Sequence, residues 1–172
     1  MLLQAAAAHP ASGMSVTVYD RVDAIPLFNE ELEGLDAHGP VSVRDLRERV
    51  READGLLIST PEYNQSLSGV LKNMLDWLSR PAPGEVLKNK PVAIMGASGG
   101  RWGTRLAQAA LRQVLHATEA IVIPQPALYV REAAQLFDEA GRVTDPSVQR
   151  TLDEILRALG ANIRMHQSTT SL

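Results

Sequence analysis

The chain has 172 residues, 45% of them hydrophobic and 22% charged, and its 17 Lys+Arg against 20 Asp+Glu give a net charge of −3. These values are those of an ordinary globular domain, and they exclude a collagenous chain, a wholly disordered one and a strongly basic nucleic-acid binder. With no cysteine there is neither a disulfide nor a thiolate metal site.

Residues 1–8 are rich in Leu and Ala but have no Lys or Arg ahead of the apolar part, and Gln4 and His9 interrupt it. A secretory leader needs a basic start and an unbroken apolar stretch of about 7–15 residues, so the segment reads as helix ending ahead of Pro10, and the protein as cytoplasmic. Over residues 14–19, Met14, Val16 and Val18 alternate with Ser15, Thr17 and Tyr19, which predicts a half-exposed strand at a sheet edge. Residues 20–39 hold turn formers, acids and two glycines, and predict a long surface loop. Ser42 followed by Asp45 resembles a capping box, after which Val43, Leu46 and Val50 recur at helical spacing. Residues 55–60 are a short continuous apolar run of the kind buried on both faces in a parallel sheet.

Leu67, Val70, Leu71, Met74, Leu75 and Leu78 predict an amphipathic helix, with Pro81 and Pro83 just beyond it. Residues 91–97 read as a second buried strand, and a helix starting near Arg101 is predicted to bury Ala107, Leu111, Val114 and Leu115. Residues 120–123 read as a third short strand ended by Pro124 and Pro126, and a turn follows around residues 138–141. Asp145-Pro146 opens a last helix with Pro at its first position, an apolar stripe of Val148, Leu152, Ile155, Leu156 and Leu159, and Gly160 as its C-cap. Residues 167–172 read as a frayed polar tail. There is no internal repeat and no linker, so residues 1–172 form one domain. Strands alternating with helices of this length give parallel βαβ units covered on both faces, and the fold class is α/β.

In open α/β sheets ligands lie beyond the carboxyl ends of the strands, so the loops after the two buried strands are the candidate site. The first is Thr60-Pro61-Glu62-Tyr63-Asn64-Gln65-Ser66. It offers an aromatic ring and hydrogen-bonding side chains; a plain helix start, with Asn64 or Ser66 capping and Glu62 near the positive end, explains the same residues. The second is Gly96-Ala97-Ser98-Gly99-Gly100-Arg101-Trp102-Gly103. Paired glycines opening a helix let backbone N–H groups face an anion or a polar ring edge, though a flexible turn has the same composition. Trp102 at a helix start serves packing more often than ligand stacking. The four histidines, His9, His38, His116 and His166, do not cluster, and no metal is assigned.

The block Ala53-Asp54-Gly55-Leu56-Leu57-Ile58-Ser59-Thr60-Pro61-Glu62-Tyr63-Asn64, continued by Gly69-Val70-Leu71-Lys72-Asn73 and Asp76-Trp77, resembles the signature of the NADPH-dependent FMN reductase family. These are flavodoxin-like flavoproteins that include quinone, chromate and azo-compound reductases. The second loop resembles the family's other flavin-contacting turn, and Phe137-Asp138 with Gly141 and Asp145 resembles its approach to the last helix. The likeness runs from about residue 14 to 160. It implies a three-layer, doubly wound parallel sheet of order 2-1-3-4-5. It also implies FMN as cofactor, NADPH or NADH as co-substrate, and hydride passing to the flavin and on to a quinone, free flavin or similar small-molecule acceptor. Pro61, Glu62, Tyr63 and Asn64 would lie along the isoalloxazine ring. Ser98, Gly99 and Gly100 would face its pyrimidine edge, where donors stabilise the reduced flavin. Apart from that likeness, Arg101 either attracts the nicotinamide phosphate or is a solvated side chain, with a slight preference for the ligand. No catalytic side chain and no metal is demanded. The helix at 67–78 would help form a homodimer or homotetramer, with no nucleic-acid or membrane partner.

The family's opening strand and its Gly-Ser-rich, Arg-containing phosphate loop have no counterpart in this sequence. Residues 1–8 match the later turns of the family's first helix, so strand 1 and the FMN phosphate nest are expected to be missing; either Met1 is an internal methionine of a longer protein, the favoured reading, or the short chain is real and holds FMN poorly. Two other readings use the same residues. Gly96-Ala97-Ser98-Gly99-Gly100 satisfies the nucleophile-elbow pattern of a serine hydrolase, with Asp145 and His166 following in the right order. A flavodoxin-like electron carrier or binding module without catalysis is the other. No G-x-G-x-x-G follows the first visible strand, which argues against a Rossmann dinucleotide site.

Overall fold

A computed structural model of the chain describes residues 1–9, 13–34, 39–81 and 84–170. Pro10, His38, Pro83 and the last two tail residues lie outside them. The elements are α1 (Leu2–Ala7), α2 (Val41–Glu52), β1 (Leu56–Ser59), α3 (Gly69–Leu78), β2 (Pro91–Ala97), α4 (Arg105–Ala117), β3 (Ile121–Val122), β4 (Leu128–Val130) and α5 (Pro146–Thr170).

β2 is the spine of a parallel sheet. β1 pairs along one side of it, with Leu56 opposite Val92 and Ser59 opposite Met95. β3 and β4 share its other side, β3 against Pro91 and Val92 and β4 against Met95, Gly96 and Ala97. They are one edge strand interrupted at Pro124 and Pro126, which lack the N–H a ladder needs. β4 was not anticipated from the sequence: three residues between a proline pair and a turn carry too little periodicity.

The two faces of the sheet build separate cores. Val92 and Ile94 point to a cluster with Val43, Leu46 and Val50 of α2, Leu75, Trp77 and Leu78 of α3, and Leu111 and Leu115 of α4. Ala93 and Met95 point the other way, to a cluster with Leu2 and Ala6 of α1 and Val148, Leu152, Ile155, Leu156 and Leu159 of α5. The strand alternation thus sorts the helices into two layers around the sheet. None of the described helices is long and apolar enough to cross a membrane.

Several expectations are corrected. Residues 14–19 form no strand: Met14, Val16 and Val18 are half-buried and Ser15 and Thr17 exposed, as the alternation requires, but among the described residues no strand pairs with them. The facing is set by packing, while a strand also needs a ladder partner. β1 is half-buried rather than buried, because it is hydrogen-bonded to a strand on one side among the described residues. The Ser42–Asp45 capping box does not form, since α2 starts at Val41, one residue ahead of Ser42, and Asp45 pairs with Arg49 instead. α4 begins at Arg105, not near Arg101, because Gly103 takes a φ of +66 that no helix accommodates. Gly160 is not a C-cap: α5 runs through it to Thr170, and a Cβ there would stand 3.3 Å from the Met14 sulfur. The predicted tail residues 167–170 are therefore the last turn of that helix.

The long loop ahead of α2 is tied to α3. The Asn73 side chain donates to the Pro26 carbonyl (2.9 Å) and accepts from the Phe28 amide (2.7 Å), and the Trp77 indole N–H donates to the same Pro26 carbonyl (2.8 Å). Phe28 meets Trp77 edge to face at 4.9 Å. Two residues of the Lys72-Asn73 and Asp76-Trp77 pairs are therefore anchors of this loop. The segment after α3 is held in turn by Arg47, 3% exposed, whose guanidinium donates to the carbonyls of Trp77 (2.8 Å), Arg80 (3.0 Å) and Gly84 (2.7 Å). Burial, and then the Arg51 charge, push its pKa down from the usual arginine value.

Candidate functional site

The turns after β1 and β2 come together because their strands are neighbours in register. The Thr60 amide adds one further bond to the Met95 carbonyl (3.1 Å), and Tyr63 and Ser66 then exchange a pair of backbone bonds (3.1 and 3.0 Å) around Asn64 and Gln65. Both central residues are left-handed, at φ +49 and +63, the geometry of a type I′ turn. The turn holds Tyr63 out from the surface, 63% exposed.

Glu62 links this turn to the next element. One of its carboxylate oxygens, Oε2, accepts from the backbone amides of Leu106 (2.9 Å) and Ala107 (3.0 Å), the first turn of α4. Those amides are the orphan donors of a helix start, and a carboxylate there also meets the positive end of the helix dipole. Asn64 and Ser66 do not cap α3: that helix is capped by Ser68, whose hydroxyl accepts from the Leu71 amide at 3.3 Å. Glu62 thus caps a helix, but the one that follows the second loop rather than the one that follows its own.

The second turn is fastened on its other side. The Ser98 amide donates to the Val130 carbonyl (3.0 Å), Ala133 donates to the Ser98 carbonyl (3.1 Å) and Glu132 to that of Gly100 (3.3 Å). The Ser98 hydroxyl accepts from the Gly100 amide at 3.0 Å. Gly96 allows the close approach beneath: a Cβ there would sit 2.1 Å from the Thr104 hydroxyl and 2.4 Å from the Thr60 carbonyl. Thr60 and Thr104 are both buried, and Gln108 donates to the Thr104 hydroxyl at 3.0 Å. A glycine inside an otherwise bulky buried strand was the sequence signal for this contact.

The structure therefore brings Pro61, Glu62, Tyr63 and Asn64 into one turn and Ser98, Gly99, Gly100 and Arg101 into its neighbour. Glu62 is committed to the α4 amides, so it acts as a brace between the turns. Gly99 is exposed, its amide has no protein acceptor among the described residues, and a Cβ on it would meet nothing within 4 Å. The side-chain amides of Asn64 and Gln65 also stand exposed on the first turn. This donor set, beside the flat surfaces of Pro61 and Tyr63, suits the polar edge and the face of a planar ring such as an isoalloxazine. Arg101 lies over the exposed Trp102 ring, 4.9 Å from its centroid.

The hydrolase alternative fails on geometry. Asp145 sits at the start of α5, with its Oδ1 accepting from the amides of Ser147 (2.8 Å) and Val148 (3.0 Å). His166 lies near the other end of the same helix, about 30 Å away at 1.5 Å per residue, where its Nδ1 is 2.8 Å from the Asn162 carbonyl. Ser98, Asp145 and His166 cannot form a triad in which acid and base touch. The sequence reading also passed over Arg105, Tyr129 and Arg131, which line depressions next to the second turn.

Comparison with known proteins gives a consistent result. The model of a family described as NADPH-dependent FMN reductase matches residues 1–135. The chain is 42% identical over 152 residues to an NAD(P)H-dependent FMN reductase of Pseudomonas aeruginosa, covering 88% of this chain and 80% of that protein. It is 36% identical over 148 residues to a 2-hydroxy-1,4-benzoquinone reductase of a Burkholderia species, covering 85% and 79%. Among solved structures, FerB of Paracoccus denitrificans, a flavoenzyme NAD(P)H:acceptor oxidoreductase, superposes with a TM-score of 0.82 at 32% identity, covering 96% of this chain and 87% of that one.

Proposed function

The chain belongs to the NADPH-dependent FMN reductase family, and from that premise we propose that it is an FMN-dependent NAD(P)H oxidoreductase that reduces quinones, free flavin or similar small molecules. The observation that carries the reading is the pair of exposed turns at the carboxyl ends of β1 and β2, braced by Glu62. The chemistry that FMN supplies when bound is acceptance of hydride from a reduced nicotinamide and delivery of electrons to an acceptor.

The residues do the binding and positioning. Pro61 and Tyr63 offer flat surfaces to the ring, and the Asn64 side chain offers a donor to its polar edge. Gly99 and Gly100 bring backbone to the edge where negative charge develops, with Ser98 fixing the turn through its bond from the Gly100 amide. Arg101 presents a cation at the rim for the reduced dinucleotide. Exposed Tyr63 and Trp102 flank the opening through which reductant and acceptor reach the ring.

The proposal extends to a single flavin-binding domain that assembles as a homodimer or homotetramer and works in the cytoplasm, where reduced nicotinamide is regenerated. Val70 on α3 and Leu106 on α4, each 49% exposed, are apolar surface that such assembly would cover. Light scattering after gel filtration reads the oligomer, and cell fractionation the location. The decisive assay supplies FMN, NADPH and a benzoquinone and follows absorbance at 340 nm: turnover that needs both FMN and quinone is expected. Tight flavin binding without NADPH oxidation would instead make the protein an electron carrier.

A further inference from the structure

Beside the second turn, two contiguous depressions of about 290 and 400 Å³ open between the end of β4 and the start of α5, and both are lined by Tyr129, Arg131, Ser147 and Val148. Arg105 lines the first and Arg101 the second. Three guanidiniums therefore border one trench in a chain whose net charge is negative. We infer that this trench is an anion-binding subsite that receives the phosphate groups of the reduced dinucleotide, an inference that rests on the reductase reading above.

Only some of the arginines are ion-paired, and what marks the trench is that three without a carboxylate partner border one concavity. Arg49, Arg51, Arg80, Arg142 and Arg157 each pair with a carboxylate. Arg101, Arg105 and Arg131 have no carboxylate within ion-pair distance among the described residues. Two of the three are held by rings instead, Arg101 over Trp102 at 4.9 Å and Arg105 over Tyr129 at 5.4 Å. Stacking fixes the plane of a guanidinium but leaves its N–H edge free, so the donors stay available to a ligand. Two carboxylates, Asp145 and Glu132, also line the trench, so three cations face two anions, and Asp145 turns its Oδ1 to the first amides and hydroxyl of α5.

The ligand class follows from shape and position. Guanidinium forks match phosphate oxygens two at a time, and several forks around one concavity suit a multiply charged phosphate better than a single carboxylate. Arg101 belongs to the turn assigned to the flavin, so the trench adjoins the place where the proposed function puts the nicotinamide. Its volume exceeds what one isolated anion fills, in keeping with the phosphate-bearing half of a dinucleotide.

The test is the Arg105→Gln/Arg131→Gln double variant, compared with wild type by calorimetric titration of adenosine 2′,5′-bisphosphate and by KM for NADPH and for quinone. The expected result is at least about a tenfold loss of bisphosphate affinity and a matching rise in the NADPH KM. Flavin content, melting temperature and quinone KM should not move. Unchanged bisphosphate affinity and NADPH KM in a folded, flavin-loaded variant overturns the inference. So does a rise confined to the KM of an anionic hydroxyquinone, or inorganic phosphate binding as tightly as the bisphosphate. A wild type that oxidises no NADPH refutes the reductase reading, and the bisphosphate titration then decides the subsite on its own.

Discussion

Two residues decide how the turns of the proposed flavin site are set. Glu62 is exposed enough to look like a ligand contact, yet its carboxylate is taken by the Leu106 and Ala107 amides, 44 and 45 positions further along the chain. Replacing an N-capping side chain by Ala costs about 1 kcal/mol. Glu62→Ala should lose that much in urea unfolding and should also lower flavin occupancy, read by the absorbance ratio of the purified protein. Glu62→Gln keeps an oxygen acceptor and should recover most of both. Gly96 acts through the space it leaves. Gly96→Ala would force a methyl against the Thr104 hydroxyl and the Thr60 carbonyl. Overpacking of that kind costs roughly 1–3 kcal/mol, so a lower urea midpoint is expected. The two turns of the candidate site were legible in the Pro61-Glu62-Tyr63-Asn64 and Ser98-Gly99-Gly100 runs. The helix that Glu62 caps was not, because a contact across 44 residues leaves no local spacing to detect.

At the scale of elements, the sequence spoke clearly wherever an apolar period ran for several turns and indistinctly wherever boundaries depended on backbone geometry. α5 follows its predicted stripe and Pro146 opens it as expected, whereas α3 buries Leu75 and Leu78 of its stripe but starts after Leu67 and leaves Val70 49% exposed. The start of α4 depended on the sign of φ at Gly103, and the failure of Gly160 to end α5 depended on Met14 packing against it. The start of α5 carries a pH prediction. Asp145 is held below the usual aspartate pKa by the Ser147 hydroxyl first and by the Val148 and Ser147 amides after it. A folded-state pKa below the unfolded one stabilises the protein above the unfolded value, about pH 4, and this is lost as the pH falls through the folded value. Melting temperatures of wild type and Asp145→Ala should therefore differ at pH 6 and converge below pH 4.

At the scale of the molecule, the α/β class was fixed by alternation, since strands and helices of these lengths can cover one another in few ways. The division of β2 into two faces then assigned every helix to a layer, α2, α3 and α4 on one and α1 and α5 on the other. The candidate site was legible as a place, the carboxyl ends of adjacent strands, before it was legible as a geometry. The trench was not, because Arg105, Tyr129 and Arg131 belong to three segments that meet only once β4 has docked beside β2.

The break between β3 and β4 has its own consequence for how this protein behaves in a crowded solution. A long flat strand at a sheet margin is a template on which another chain can add, and this margin offers only two residues, then an interruption, then three. Pro124 supplies no N–H to an incoming strand, so that side of the sheet resists runaway cross-strand growth. Association through that margin is thereby disfavoured. Pro124→Val should raise the rate of turbidity growth on heating while leaving turnover at 25 °C unaffected.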